Sequence, residues 1–206
     1  MRKIALLFSI VFQPLFMATY LFIILLFVTP SAIGSLFNYR IKNWLLLVVF
    51  LITFILPVIS IYVMKLTSTI SSVHLSGKDE RIFPFFLIAI FYAMSAYLMV
   101  TKFNISAGIN IIFITLAFLA LFTAFITIFW KISVHSIGLG GVLGILIALN
   151  FRSPDPYFIW LVTGWAVLMG ATMSSRLLLN VHRPVEVYTG AVLGIVCCFL
   201  PIYIFV

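Results

Sequence analysis

Seven stretches of this sequence are apolar over lengths that approach or exceed what is needed to cross a lipid bilayer. A spanning helix needs about 20 mostly apolar residues. Hydrophobic residues make up 65% of the chain and charged residues only 8%, so there are too few polar side chains to cover a water-soluble globule. The sequence therefore predicts an all-α, polytopic transmembrane helical bundle of six or seven spans with no soluble domain. We predict spans at about 4–28, 43–65, 82–101, 107–130, 134–150, 157–176 and 185–206.

The connections between these runs are short. No Gly/Ser/Pro-rich or charged linker divides residues 1–206, which predicts a single integral membrane domain. Pro14 and Pro57 fall inside predicted spans, where a proline kinks the helix and neighbouring helices satisfy the freed backbone groups. With alternating spans, the loops after the second, fourth and sixth lie on one face together with the N-terminus. These loops hold all the histidines of the chain, which are His74, His135 and His182.

The twelve residues from Ser175 to Glu186 carry two arginines, a histidine and a glutamate between two apolar runs. An ionisable group at membrane depth costs roughly 2.5 to 3.5 kcal/mol, so such a cluster indicates a functional site. His182 and Glu186 are four residues apart, and on one helical turn the carboxylate can orient the imidazole and stabilise its protonated form. A histidine held in this way is a usable nucleophile or base. Pro184 predicts a helix start near Arg183, with free backbone donors that favour phosphate close to His182.

This stretch resembles the third signature of the type 2 phosphatidic acid phosphatase superfamily, which also contains the vanadium haloperoxidases. Ser175-Arg176 is followed by five residues, His182, three residues and Glu186, where the family normally has Asp. Residues 131–135 resemble the second signature, Pro-Ser-Gly-His.

In that second stretch Ser133 and His135 match, while Ile132 and Val134 stand at the Pro and Gly positions. The first signature of the family is Lys, six residues, Arg-Pro. The charged stretch 76–84 offers the same residue types at other spacings, with Lys78, Arg81 and Pro84.

The resemblance implies a membrane phosphatase that acts on a lipid phosphate or diphosphate without a metal or other cofactor. His182, oriented by Glu186, is expected to attack phosphorus and form a phosphohistidine. His135 is expected to protonate the leaving alkoxide and then to activate water. Guanidinium groups bind phosphate oxygens in pairs and neutralise charge in the transition state. The residues expected to bind the phosphoryl group are Arg176, Arg81, Lys131, Ser133 and Lys78.

Each signal also has a structural explanation. The 175–186 stretch can be an interfacial loop whose charges reach lipid headgroups, and the charges around Arg81 can form a solvated turn. His135 can be a helix-start histidine that a backbone group satisfies. Other functions remain open: a catalytically inactive relative that binds lipid phosphate, a phosphotransferase that uses the same site, or a small transporter or channel. Charges at span ends rather than span centres argue against the transporter or channel.

Several other classes of site are missing from the sequence. There is no Walker loop, no Cys/His metal set with closed-site spacing and no Asp-rich magnesium site. The net charge of +8 is spread over loops and does not form a nucleic-acid footprint. The expected partners are a phosphorylated membrane lipid and the bilayer, and the sequence carries no signal for an oligomeric state.

The resemblance favours a bacterial inner membrane, with the site at one membrane face. Three basic residues lie on the site face and four on the other when the count leaves out Lys78, Arg81, Lys131, Arg176 and Arg183. The positive-inside rule therefore favours neither side.

Overall fold

The computed structural model describes residues 2–33, 37–72, 79–101, 105–152 and 156–206. Within these ranges the chain is helical and contains no strand. Seven helical segments are long and apolar enough to span a membrane, as the sequence predicts. The protein is an all-α polytopic bundle, and each predicted span end lies within four residues of the observed one. The spans are Arg2–Val28, Tyr39–Leu66, Glu80–Thr101, Ala107–Phe129, Val134–Arg152, Pro156–Leu178 and Pro184–Phe205.

The described residues form nine α-helices, because the first two spans are each divided. Short 3₁₀ turns lie at Pro14–Phe16 and Pro30–Ile33, and π-helical segments lie at Ile24–Val28 and Leu51–Ile55. The helices are α1 (Arg2–Val11), α2 (Met17–Ile23), α3 (Tyr39–Phe50), α4 (Leu56–Leu66), α5 (Asp79–Thr101), α6 (Ala107–Phe129), α7 (Val134–Arg152), α8 (Pro156–Leu178) and α9 (Pro184–Phe205).

Pro14 breaks the first span. Because proline has no N–H, residue 14 cannot donate to the carbonyl oxygen of Ile10. The N–H of Gln13 donates to that oxygen instead, at 3.4 Å. Helix α1 therefore ends at Val11, and the chain passes through a 3₁₀ turn into α2. The predicted kink is confirmed here, and at Pro57 a π-helical segment precedes the regular helix α4.

Helix α7 lies at the centre of the bundle. Of its spanning window 67% is buried, compared with 17 to 44% for the other spans. Its most extensive contact is with α9, and glycines on both helices line that contact: Gly140 and Gly144 on α7, Gly190 and Gly194 on α9. A Cβ atom added to Gly194 would overlap the carbonyl oxygen of Ile137. The absence of side chains lets the two backbones touch, which holds the starts of α7 and α9 side by side.

Large apolar side chains cover the outside of the bundle. Trp160 is 77% exposed and Phe129 is 71% exposed. Contiguous apolar surface of this extent is not stable in water. The bundle therefore belongs in a lipid bilayer.

Candidate active site

The loop between α8 and α9 shapes one half of the candidate site. Helix α8 ends at Leu178, and Asn180 turns the chain with a left-handed φ of 54°, a conformation that asparagine adopts more readily than most residues. Helix α9 begins at Pro184, as predicted, with Arg183 as its N-cap. The backbone N–H of Arg183 donates to Glu186 Oε2 at 3.3 Å. The start of α9 thus fixes the position of the Glu186 carboxylate.

The same carboxylate oxygen holds His182. Nδ1 of His182 lies 2.7 Å from Glu186 Oε2, and the side chains are only 3% and 10% exposed. An ionised carboxylate can only accept a hydrogen bond, so Nδ1 carries the proton. The lone pair of the imidazole is then on Nε2, which is the nitrogen available to react.

The surroundings of His182 favour its neutral form at pH 7. Burial and the positive charges of Arg176 and Arg81 together lower its pKa to about 4, although the hydrogen bond and the charge of Glu186 act in the opposite direction. A neutral imidazole has the lone pair that a nucleophile or a base needs.

His135 is the second residue of α7. Its Nε2 lies 3.0 Å from the carbonyl oxygen of Ser9 in α1. A carbonyl oxygen only accepts, so Nε2 is the donor and Nδ1 remains for another partner. His135 also lies within electrostatic range of Arg176, His182 and Arg81, so the bundle brings both histidines into one cluster.

Arg176 is near the end of α8 and is held by the same serine. Its guanidinium donates to Ser9 Oγ at 3.1 Å. Its Nε is buried and has no hydrogen-bond acceptor among the residues that the structure describes. A buried donor without an acceptor is costly, more so when it is charged. An anionic oxygen placed here would satisfy it.

Arg81 lies in the first turn of α5, within electrostatic range of Glu186 and of Arg176. The prediction that Arg81 belongs to the preceding loop is wrong, because α5 already begins at Asp79. Glu80 accepts the backbone N–H of Ser71 at 2.9 Å, and an acidic residue in the first turn favours a helix start. We name the group of His135, His182, Glu186, Arg81 and Arg176 the His–Arg cluster.

Lys131 and Ser133 connect the parts of the site to each other. Lys131 Nζ donates to the carbonyl oxygen of Val181 at 3.2 Å. The backbone N–H of Ser133 donates to the carbonyl oxygen of Glu186 at 3.1 Å. The fully buried Ser133 hydroxyl accepts from Ser136 Oγ at 3.0 Å. Both predicted phosphate-binding residues therefore lie beside the 175–186 stretch, with bonds to protein partners.

The structure does not describe two of the residues named from the sequence. Lys78, expected to bind phosphate, and His74 lie outside the described residues. Among those that are described, no three His, Cys, Asp or Glu side chains are placed to hold a metal ion together.

Ser9 is the site residue that sequence reasoning missed. The sequence places Ser9 only within the first apolar run, but in the structure it is buried and contacts both His135 and Arg176. The sequence signal for Ser9 is that it is a polar residue within a predicted span, five positions before Pro14.

Comparison with family models, with curated proteins and with solved structures found no match.

Proposed function

We propose that the protein is an integral membrane phosphatase of lipid phosphate or diphosphate esters that acts through a phosphohistidine on His182. The observation that carries the proposal is the short bond between His182 Nδ1 and Glu186, which leaves Nε2 free beside two arginines. The resemblance of residues 175–186 and 131–135 to type 2 phosphatidic acid phosphatases points to the same chemistry.

In the proposed reaction, Arg176 and Arg81 bind the phosphoryl oxygens, and the free Nε–H of Arg176 is one of the donors. The lone pair on His182 Nε2 attacks phosphorus. The bond from phosphorus to the lipid oxygen breaks, its electron pair stays on that oxygen, and His135 supplies the proton. Glu186 stabilises the positive charge that develops on His182.

Hydrolysis of the phosphohistidine then regenerates the site. His135, now neutral, accepts a proton from water as the water oxygen attacks phosphorus. The P–N bond breaks, its electron pair returns to His182, and inorganic phosphate leaves. If the hydroxyl of a second lipid or sugar takes the place of water, the same steps give a phosphotransferase.

An apolar groove between the first span and α8 supports a lipid substrate. The groove has a volume of about 320 Å³ and is lined by Val11, Phe12, Tyr20, Ile23, Ile24 and Trp165. Val11 closely follows Ser9, which bonds Arg176. Trp165 precedes Arg176 by eleven residues, or roughly 16 Å of helix at 1.5 Å per residue. That length is close to half of the roughly 30 Å hydrocarbon core, so a lipid with its phosphate at Arg176 has its chain within one leaflet.

The proposed location is a bacterial inner membrane, with the phosphate at headgroup level. This location follows from the resemblance together with the integral membrane fold.

Phosphate release tests the proposal. Detergent-purified protein is incubated with a panel of lipid mono- and diphosphates in EDTA, as wild type and as His182→Ala, Glu186→Gln and Tyr188→Phe. We expect His182→Ala to abolish release and Glu186→Gln to lower kcat about 10- to 100-fold, because Gln still accepts the Arg183 N–H but lacks the charge that supports the imidazolium. Tyr188→Phe, on an exposed part of α9, is the control and should match wild type.

Trapping the intermediate gives the second readout. With labelled lipid phosphate, wild-type protein quenched in alkali should carry a phosphoramidate label that acid removes, and His182→Ala should carry none. Lipid binding without any phosphate release by folded wild-type protein would instead identify an inactive lipid-phosphate binder.

A further inference from the structure

Helix α1 enters the cluster through one residue, Ser9. In an uninterrupted helix the carbonyl oxygen of Ser9 would accept the N–H of residue 13. Here Gln13 donates to Ile10, because Pro14 supplies no N–H. The break therefore leaves the Ser9 oxygen free of its helical partner, and His135 Nε2 donates to it at 3.0 Å. The next exposed carbonyl, Val11, is satisfied by the Tyr20 hydroxyl at 2.9 Å.

The bond to Ser9 determines which nitrogen of His135 can exchange a proton with a substrate. Nε2 donates to an oxygen that only accepts, so it keeps its proton whether the ring is neutral or charged. Nδ1 is then the nitrogen that releases and regains a proton.

We infer that Ser9 is a positioning residue of the site: its carbonyl, freed by Pro14, fixes the Nε2–H tautomer of His135, and its hydroxyl orients Arg176. This inference rests on the proposed function, in which His135 protonates the leaving group. It gives the broken first span a role in the chemistry.

The test compares two substrates that differ in their need for an acid. One is a lipid alkyl phosphate, whose alkoxide must be protonated as it leaves. The other is an alkyl-chain nitrophenyl phosphate, whose phenolate leaves without a proton. The comparison uses kcat/KM, which covers the steps through phosphohistidine formation and excludes the later hydrolysis, in which His135 acts on both esters alike. A loss of proton donation by His135 lowers kcat/KM only for the first ester, whereas general damage to the fold lowers it for both.

Pro14→Ala is the main variant. It restores an N–H at residue 14, so the helical ladder can resume and Gln13 competes with His135 for the Ser9 oxygen. We expect kcat/KM for the alkyl ester to fall about tenfold or more, part of the 10²–10⁴ that general acid catalysis contributes. The aryl ester should stay within about twofold of wild type. Pro57→Ala, the same change in the second span, is the control and should alter neither rate.

Ser9→Ala separates the hydroxyl from the carbonyl. It removes the bond to Arg176 and keeps the bond to His135. We expect KM to rise for both esters by the same factor, with the ratio of the two kcat values unchanged. Equal losses of kcat/KM on both esters in Pro14→Ala, or no loss on either, would overturn the inference.

A spectroscopic readout keeps the inference separate from the activity. Nitrogen-15 NMR of histidine-labelled protein, with His135 assigned from a His135→Asn sample, reports which ring nitrogen carries the proton. We expect the proton on Nε2 to persist in wild type throughout the titration of the ring, with Nδ1 as the nitrogen that loses its proton, and we expect this order to be partly lost in Pro14→Ala. If wild type hydrolyses neither ester, the proposed function fails, and a wild-type Nδ1–H tautomer would by itself overturn the role of Ser9.

Discussion

One oxygen atom of Glu186 joins the candidate nucleophile to the start of α9. Glu186 Oε2 accepts from His182 Nδ1 at 2.7 Å and from the N–H of Arg183 at 3.3 Å. The capping position fixes the carboxylate, and the carboxylate fixes the imidazole. The glutamate that stands where the resembling signature has aspartate is therefore long enough to make both bonds.

At the residue scale we predict an unusual acid limb in the pH profile. In the proposed reaction His182 attacks only when neutral, and burial next to Arg176 and Arg81 lowers its pKa to about 4. The fraction of neutral His182 is thus complete above about pH 5 and falls as the pH drops through 4. The acid limb of kcat/KM, which reports the free enzyme, should lie near 4, measured with the aryl ester that needs no general acid. A limb near 6.5, the pKa of an unperturbed histidine, would contradict the description of His182.

Whether a contact in the site could be predicted from the sequence depended on how far apart its two residues lie along the chain. The contact of His182 with Glu186 could be predicted, because a spacing of four residues is local geometry. The contact of His135 with Ser9 joins residues 126 positions apart. Pro14 predicts that a backbone carbonyl loses its helical hydrogen-bond donor. No residue near it in the sequence indicates which side chain becomes the new donor.

At the element scale, the contact between α7 and α9 sets the distance between the two halves of the site. Ser133, just before α7, bonds the backbone of Glu186 in the first turn of α9. The glycines along both helices permit this approach, because small residues let two helix backbones come close together. The sequence did not predict which helices pair, because small residues allow close contact but do not specify the partner helix.

Gly194→Ala should therefore damage both stability and activity. The added Cβ would overlap the Ile137 carbonyl oxygen, and backbone cannot move aside as a flexible side chain can. We expect a loss of about 1 to 3 kcal/mol in the free energy of unfolding, typical of overpacking, together with lower kcat. Thermal unfolding in detergent and phosphate release measure the two effects.

Gly170→Ala on α8 is the matched control for that change. A Cβ there meets nothing within 4 Å, and alanine is the better helix former by about 0.5 to 1 kcal/mol. Its Tm and rate should equal or exceed those of wild type. A similar drop in both variants would indicate a general intolerance of larger residues rather than the α7–α9 contact.

The groove between the broken first span and α8 leads to a prediction about chain length. Ile23 lines the groove and is 39% exposed. In Ile23→Trp the larger ring fills space that a long lipid chain would occupy, so KM should rise for long-chain lipid phosphates and stay unchanged for short-chain ones. Ile159→Trp, on an exposed part of α8 outside the groove lining, is the control. An equal change for all chain lengths in Ile23→Trp would show that the chain does not use this groove.

At the scale of the whole molecule, alternation of the spans brings distant loops to one face. The apolar runs sufficed to predict this, because span length and order alone determine which loops share a face. The predicted start of the third span was late, since the charged residues around Arg81 read as loop while α5 already begins at Asp79. Charged residues occur in the first turn of a helix as well as in loops. The periodicity of apolar residues does not distinguish a first turn from a loop when the helix is apolar on all sides.

During synthesis of the chain, Ser9 and the residues of the His–Arg cluster are added at different spans. Ser9 is made with the first span, Arg81 with the third, His135 with the fifth, and His182 with Glu186 only at the seventh. The α7–α9 contact likewise forms only when α9 has entered the bilayer. A chain halted before residue 182 therefore lacks the proposed nucleophile, and a bundle without α9 lacks Glu186, the carboxylate that holds His182.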